Sequence, residues 1–251
     1  IAYKHDGSIH RIWHKNVVLE ADEQVLILAN NRTLVTENDG INKGKRKDKI
    51  FTSDDMSGGI VRTSTAYELV EKSYKLLIHN VRLNQVNELL VWLEGSGKLI
   101  ASDNPGRYYE VLTVSAVRAR LGEVDEYEID VVFTCNPFSY SIASDIKTYT
   151  SNGVINNETN VIMYPKITLY GNSTSGTSLT IGNQVVRLKQ LSEKLVIECK
   201  QGEQNVYDKN GNLLNSVMLG AFFEIKPGVS GIVLGNGITR LEIECRWGAF
   251  V

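Results

Sequence analysis

The chain has 251 residues, of which 42% are hydrophobic and 22% charged, and its formal net charge is −2. That length holds one large or two small domains with real cores, and the near-neutral balance removes any global electrostatic reason to expect nucleic acid or an anionic membrane as partner. The longest apolar runs, residues 25–29 and 89–93, fall far short of the ~20 residues of a membrane span.

In chain order, strand signals dominate. Residues 17–19, 25–28 and 32–36 read as β segments, and Asn38-Asp39-Gly40 as a turn. Residues 41–49 carry Lys43, Lys45, Arg46, Lys47 and Lys49 and read as an exposed loop, with a phosphate-binding patch as the alternative. Residues 67–78 carry a weaker helix-or-strand signal that tips towards strand. One helix is expected from Asn84 to Glu94. Asn84 would cap it, Val86, Leu89, Leu90 and Leu93 would form one apolar stripe, and Gly95 would stop it. From Tyr108 the pattern is strand and turn. Residues 126–133 begin by alternating charged and apolar side chains, and Asn136-Pro137 should end that strand, because proline brings no N–H to a ladder. Polar residues 141–160 read as a domain connection, placing a boundary near residue 145. Short strands then alternate with turns at Gly171-Asn172-Ser173, Gly182-Asn183, Lys209-Asn210-Gly211-Asn212 and Gly235-Asn236-Gly237, the pattern of a β-sandwich.

Few residues suggest chemistry. Cys135, Cys199 and Cys245 are odd in number and widely spaced, which disfavours a zinc knuckle and fits small buried hydrophobes in a reducing compartment. His5, His10 and His14 lie near one another. His10 and His14 have ligand spacing, but Arg11 stands where a zinc-protease motif needs glutamate, so surface or interface histidines are the plainer reading. The carboxylates Asp54-Asp55, Glu123/Asp125/Glu126 and Glu242/Glu244 fit turns or solvated strand faces. No phosphate loop, serine-hydrolase elbow or dinucleotide fingerprint occurs. Tyr108, Tyr109, Tyr207 and Trp247 could stack on a sugar ring, or fill the core or a subunit interface. Lys4 and Arg11 are followed by no hydrophobic segment, so no secretory signal is expected. A start at Ile1 without methionine reads as a trimmed or engineered terminus.

Several short signatures keep one order. These are Trp92-Leu93-Glu94-Gly95-Ser96-Gly97, the turn Ser102-Asp103-Asn104-Pro105-Gly106-Arg107-Tyr108-Tyr109, Phe133-Thr134-Cys135-Asn136-Pro137-Phe138, Pro165-Lys166-Ile167-Thr168-Leu169-Tyr170-Gly171, and Ile225-Lys226-Pro227-Gly228. Over residues 48–251 this set resembles the distal tail proteins of siphophages. The resemblance implies a mainly β fold: an N-terminal split β-barrel with one helix over residues 1–145, and a C-terminal galectin-like β-sandwich over 146–251. It implies a non-enzymatic virion component without metal or cofactor, assembled in the bacterial host cytoplasm. Six copies would close a ring that joins the tail tube protein to tail-tip hub or receptor-binding proteins. Trp92, Gly95, Gly97, Phe133, Pro137, Phe138, Pro165, Gly171, Pro227 and Gly228 are the positions that carry the likeness.

Residues 2–40 differ from that pattern. Tyr3-Lys4-His5-Asp6-Gly7-Ser8-Ile9-His10-Arg11, Trp13 and Leu34-Val35-Thr36-Glu37-Asn38-Asp39-Gly40 resemble the nucleoside tri- and diphosphate phosphatases of Gram-positive bacteria. The likeness ceases at Gly40, before that family's metal-binding carboxylates, and residues 41–60 supply no acid cluster to hold divalent cations on a phosphate. A phosphatase fragment and a carbohydrate-binding module are therefore the alternatives to the tail-tip reading.

Overall fold

A computed structural model describes residues 43–55, 57–79, 82–101, 104–121 and 126–250, together with the backbone of five strands before residue 40. The chain divides into two compact units, Ile1–Ile142 with Phe250–Val251, and Ala143–Ala249. Both are mainly β.

The first unit contributes β1 (Val17–Ala21), β2 (Gln24–Ile27), β3 (Thr33–Asn38), β4 (Lys49–Phe51), β5 (Ile60–Arg62), β6 (Val70–His79), α1 (Leu83–Trp92), β7 (Gly97–Ala101), β8 (Arg107–Leu121) and β9 (Glu126–Ser141). One antiparallel sheet runs in the order β2-β1-β7-β8-β9-β6-β3 and forms a half-barrel. Its curvature has a local cause. The long β8–β9 hairpin slips register between Tyr109 and Val111, between Val111 and Thr113, and between Ser115 and Arg118, and each bulge bends and twists the strand that carries it. In β6, Val70, Lys72, Tyr74, Leu76 and Ile78 are buried at every second position. That period of two settles residues 70–78 as strand, while 67–69 lie before it. Leu76, Ile78, Val86, Leu93, Leu99, Val111, Ile129, Val131 and Phe133 pack into one core.

Two local expectations are corrected here. The helix begins at Leu83, and Arg82 rather than Asn84 is its N-cap. The Gln85 side chain turns back so that its Oε1 accepts the Arg82 N–H at 3.0 Å, which satisfies a donor without an Asn cap. The strand expected to end at Asn136-Pro137 continues to Ser141. The ladder to β8 passes from Cys135↔Val111 directly to Ser139↔Tyr109, and the ladder to β6 stops at Cys135↔Val70. Pro137 therefore sits in a bulge where its missing N–H costs no ladder bond.

The second unit contributes β10 (Asp145–Tyr149), β11 (Gly153–Asn157), β12 (Lys166–Ser173), β13 (Thr177–Ile181), β14 (Gln184–Leu188), β15 (Leu191–Glu198), β16 (Asn205–Tyr207), β17 (Met218–Leu219), β18 (Gly228–Leu234) and β19 (Ile238–Cys245). They form two five-stranded antiparallel sheets, β10-β19-β12-β15-β16 and β11-β18-β13-β14-β17. Ile167, Leu169, Leu195, Ile197, Leu241 and Ile243 of the first sheet share one core with Leu179, Ile181, Val186, Leu188 and Ile232 of the second. This is a sandwich. The segment read as a polar connection holds β10 and β11, whose partners are β19 and β18. Its strand signal is masked by polar outward positions, but Ile155 and Asn157 are buried. Gly171-Asn172-Ser173 is likewise the end of β12 rather than a turn.

Asn157 is the buried polar anchor of this unit. Its amide donates to the Val161 and Ile225 carbonyls at 2.9 Å each, and its Oδ1 accepts from the Thr159 N–H at 3.0 Å and the Thr159 hydroxyl at 2.7 Å. Removing one side of such a network strands the other. Asn157→Ala is expected to lower stability by about 2 kcal/mol, read as a shift in the urea midpoint. An unchanged midpoint would refute that role. The three cysteines are free and buried, and burial pushes each thiol up to about 12, so they pack as apolar side chains and are not poised as nucleophiles.

Candidate functional site

The most unusual surface of the first unit is the β4–β5 arm. Its strands pair Lys49 with Arg62, Ile50 with Val61 and Phe51 with Ile60. Side chains alternate faces along a strand, yet both faces here are open: Ile50 is 70% exposed, Phe51 51%, Ile60 63% and Val61 53%. A lone two-stranded ribbon is marginal in water, so its root has to fix it. Residues 43–48, within the stretch expected as an exposed loop, are irregular and mostly exposed, and they supply that root. The Lys47 N–H donates to the Ala66 carbonyl at 2.9 Å and the Glu68 N–H to the Lys45 carbonyl at 2.8 Å. Asp48 accepts the Ser64 N–H at 2.7 Å and Arg46 Nε at 2.8 Å. The Ser64 hydrogen bond and then the Arg46 contact hold its carboxyl below the usual range.

Beside the root, the rings of Tyr67, Phe138 and Phe250 meet edge to face with centroids 4.8–5.4 Å apart, and the Lys43 ammonium lies 4.5 Å over the Phe250 ring. A stiff root under an apolar ribbon is a built contact surface, because four large apolar side chains in water gain by burial against a partner.

The signature positions fall in structural places. Trp92 packs against the first core, and Phe133 lies within it, 5.9 Å from the Tyr74 ring. Gly95 has φ +123° just past the helix, Gly97 opens β7, and Phe138 belongs to the aromatic trio. Pro165 is buried and its carbonyl accepts the Cys199 N–H at 3.1 Å, while Pro227 and Gly228 lead into β18. Gly171 approaches the Gly237 backbone. These positions do not converge on one pocket.

Nor do the chemical candidates gather. His5 and His14 lie outside the described residues, and His10 is described only as backbone. Glu123 and Asp125 also lie outside them, and Asp54 and Asp55 are exposed in a turn. Glu242 accepts from the Tyr170 hydroxyl at 3.1 Å and faces Arg240 Nε at 3.4 Å, and Glu244 faces Lys166 Nζ at 3.7 Å. Among the described residues no three His, Cys, Asp or Glu side chains could share a metal, and no helix is long and apolar enough to cross a membrane.

Of the four tyrosine and tryptophan candidates, Tyr109 is core and Tyr108 stacks obliquely on Tyr140 at 5.8 Å. Trp247 donates its indole N–H to Asp145 at 2.7 Å. Tyr207 opens into a groove on the outer face of the β10-β19-β12-β15-β16 sheet.

The chain has the fold of the SPP1 Dit (gp 19.1) protein. The crystal structure of that protein, described as a paradigm of hub adsorption apparatus in Gram-positive infecting phages, superposes with a TM-score of 0.74 over 93% of this chain and 99% of its own, at 15% identity. No family model matches the chain. Over 39 residues, 16% of its length, the chain is 59% identical to the nucleoside triphosphate/diphosphate phosphatases of Streptococcus suis strain 05ZYH33, Streptococcus agalactiae strain NEM316 and Lactiplantibacillus plantarum strain WCFS1. It spans only 21–22% of those relatives.

Proposed function

We propose that this chain is a structural component of a phage tail tip or baseplate, a hub subunit that closes into a hexameric ring between the tail tube and the tail-tip or receptor-binding proteins. The observation that carries this reading is the near-complete fold overlap with SPP1 Dit, 93% of one chain on 99% of the other. The role is geometric and not catalytic, and the site of action is the virion. A closed ring needs a heterologous contact, in which one surface of a subunit meets a different surface of the next. The β4–β5 arm has the chemistry of one half of that contact.

The expected mass by light scattering after size exclusion is six or twelve times 28.0 kDa. Ile50→Ser with Phe51→Ser is expected to shift the protein to monomer while leaving its thermal midpoint in place, since both side chains are exposed. A wild-type monomer at micromolar concentration would refute the ring, and an unshifted double variant would remove the arm from it.

The 59% identity over 39 residues favours a second reading for the N-terminal segment alone, a piece of a nucleotide phosphatase. It predicts magnesium-dependent phosphate release from nucleoside di- and triphosphates. The lack of a counterpart here to that family's metal-binding carboxylates argues against activity, and no release would end this reading.

A further inference from the structure

The groove around Tyr207 lies in the second unit. Its cavity volume is 570 Å³, within the roughly 300–1,000 Å³ of small-molecule sites. Strand register builds it. Val196 pairs with Tyr207 across β15 and β16 and with Thr168 across β15 and β12, and Glu198 pairs with Asn205 and Lys166. Val196 therefore forms an apolar floor beside the flank of the Tyr207 ring. The turn at residues 208–211 forms a wall. Asp208 Oδ1 fixes this turn by accepting the Asn210 and Asn212 N–H groups at 2.8 Å each.

The charges around this floor are largely spent on one another. Arg246 holds Glu198 through both oxygens, Lys200 holds Glu203 at 2.7 Å, and Lys209 holds Glu193 at 2.7 Å. Lys166, Lys194 and Lys209 are matched in number by Glu198, Glu203 and Asp208 along the lining. The side-chain tips left without an intramolecular partner among the described residues are Lys194 Nζ and the Tyr207 hydroxyl. A charged ligand would meet no net opposite charge. A neutral ligand with one apolar face and a rim of hydroxyls meets a matching floor and rim.

We infer that this groove binds a neutral hexopyranose unit, its C–H face against Val196 and Tyr207 and its hydroxyls on Lys194 Nζ and the Tyr207 hydroxyl. The inference is independent of the ring and does not require it.

Saturation-transfer NMR on the full chain tests it with three probes, the methyl β-glycosides of glucose, galactose and N-acetylglucosamine, and with glycerol 3-phosphate as an anionic comparison. Wild type is expected to transfer to at least one glycoside. Tyr207→Ala is expected to bind that glycoside about tenfold more weakly through loss of the ring contact. Val196→Lys, which raises a long side chain through the floor, should abolish the transfer. Melting curves check that each variant is folded, and either folded variant suffices. No transfer to any glycoside, transfer to glycerol 3-phosphate alone, or undiminished transfer in a folded variant would overturn the inference.

Discussion

Gly171→Ala is expected to destabilise the sandwich by about 4 kcal/mol, although it adds a single methyl group. Gly171 sits where β12 slips register against β19: Tyr170 pairs with Arg240, but Gly171 pairs with Ile238, so Thr239 is the extra residue. The strands are pulled together at this bulge, and the Asn172 N–H donates to the Gly237 carbonyl at 2.9 Å. A Cβ on Gly171 would stand 2.0 Å from that same carbonyl oxygen, a backbone atom that no rotamer change can move aside. The backbone itself is at φ +145°, where L side chains are strained. The opposing Gly237 is constrained in the same way, with φ +83° and a Cβ position 2.4 Å from the Asn172 oxygen. Conformational strain and overpacking each cost about 1–3 kcal/mol.

Gly202→Ala separates the two terms. Gly202 also has positive φ, +85°, but nothing lies within 4 Å of its Cβ position, so only about 1 kcal/mol is expected. Thermal unfolding followed by circular dichroism should place the Gly171 variant at least about 10 °C below the Gly202 variant. Equal midpoints would show that the close approach at the bulge is not rigid.

Gly171 also shows which parts of this fold a sequence reveals. Binary alternation is readable in β9, because a strand with one wet face writes its burial into every second residue; β6 shows it only weakly, and β10 and β11 hide it behind polar outward positions. The helix was readable from Val86, Leu89, Leu90 and Leu93. What failed were features decided by partners distant in sequence. Gly171-Asn172-Ser173 looks like a turn because glycine is permissive, and only Gly237 across the ladder makes it a bulge. Pro137 looks like a strand end, and only the slip in β8 lets the strand run through it. Arg82 offers no capping side chain, and the cap bond comes from Gln85.

The sites were the least legible. Ile50 and Phe51 resemble any core pair until their exposure is seen. Tyr207 stood among four candidate aromatics, and the lining that distinguishes it comes from β12, β15, β16 and two turns. Lys194 and Val196 carried no signal of their own, since Val196 sits inside the apolar run Leu195-Val196-Ile197 and a lysine just before such a run is ordinary on a sandwich strand.

Arg246→Met is expected to cost about 3 kcal/mol at neutral pH and, more tellingly, to weaken the pH dependence that Glu198 contributes. The pair clamps β15 to the end of β19 across β12. Nη1 and Nη2 of Arg246 meet the two Glu198 oxygens, the latter at 2.7 Å, and the Lys200 N–H adds a bond at 2.8 Å. Only 12% of the Glu198 side chain and 22% of the Arg246 side chain are exposed. Burial opposes ionisation of Glu198, and the Arg246 and Lys200 hydrogen bonds outweigh it, so the carboxyl lies below its usual 4.5.

A group whose folded pKa is depressed adds stability above its unfolded value and loses it as pH falls through the folded one. Methionine keeps the apolar stem but removes the charge. Burial is then opposed only by the Lys200 N–H and the nearby Lys166, so the folded pKa rises relative to wild type and the stability that Glu198 adds at neutral pH shrinks. Asp48, Asp145 and Asp208 are also depressed, but they titrate alike in both proteins and cancel in the difference. The stability gap between wild type and variant should therefore be widest near pH 7 and close below about pH 4. Adding Glu198→Gln to Arg246→Met should recover much of the loss, because the uncompensated charge is gone. A gap that stays constant with pH would show that Arg246 stabilises through packing rather than through the carboxylate it holds.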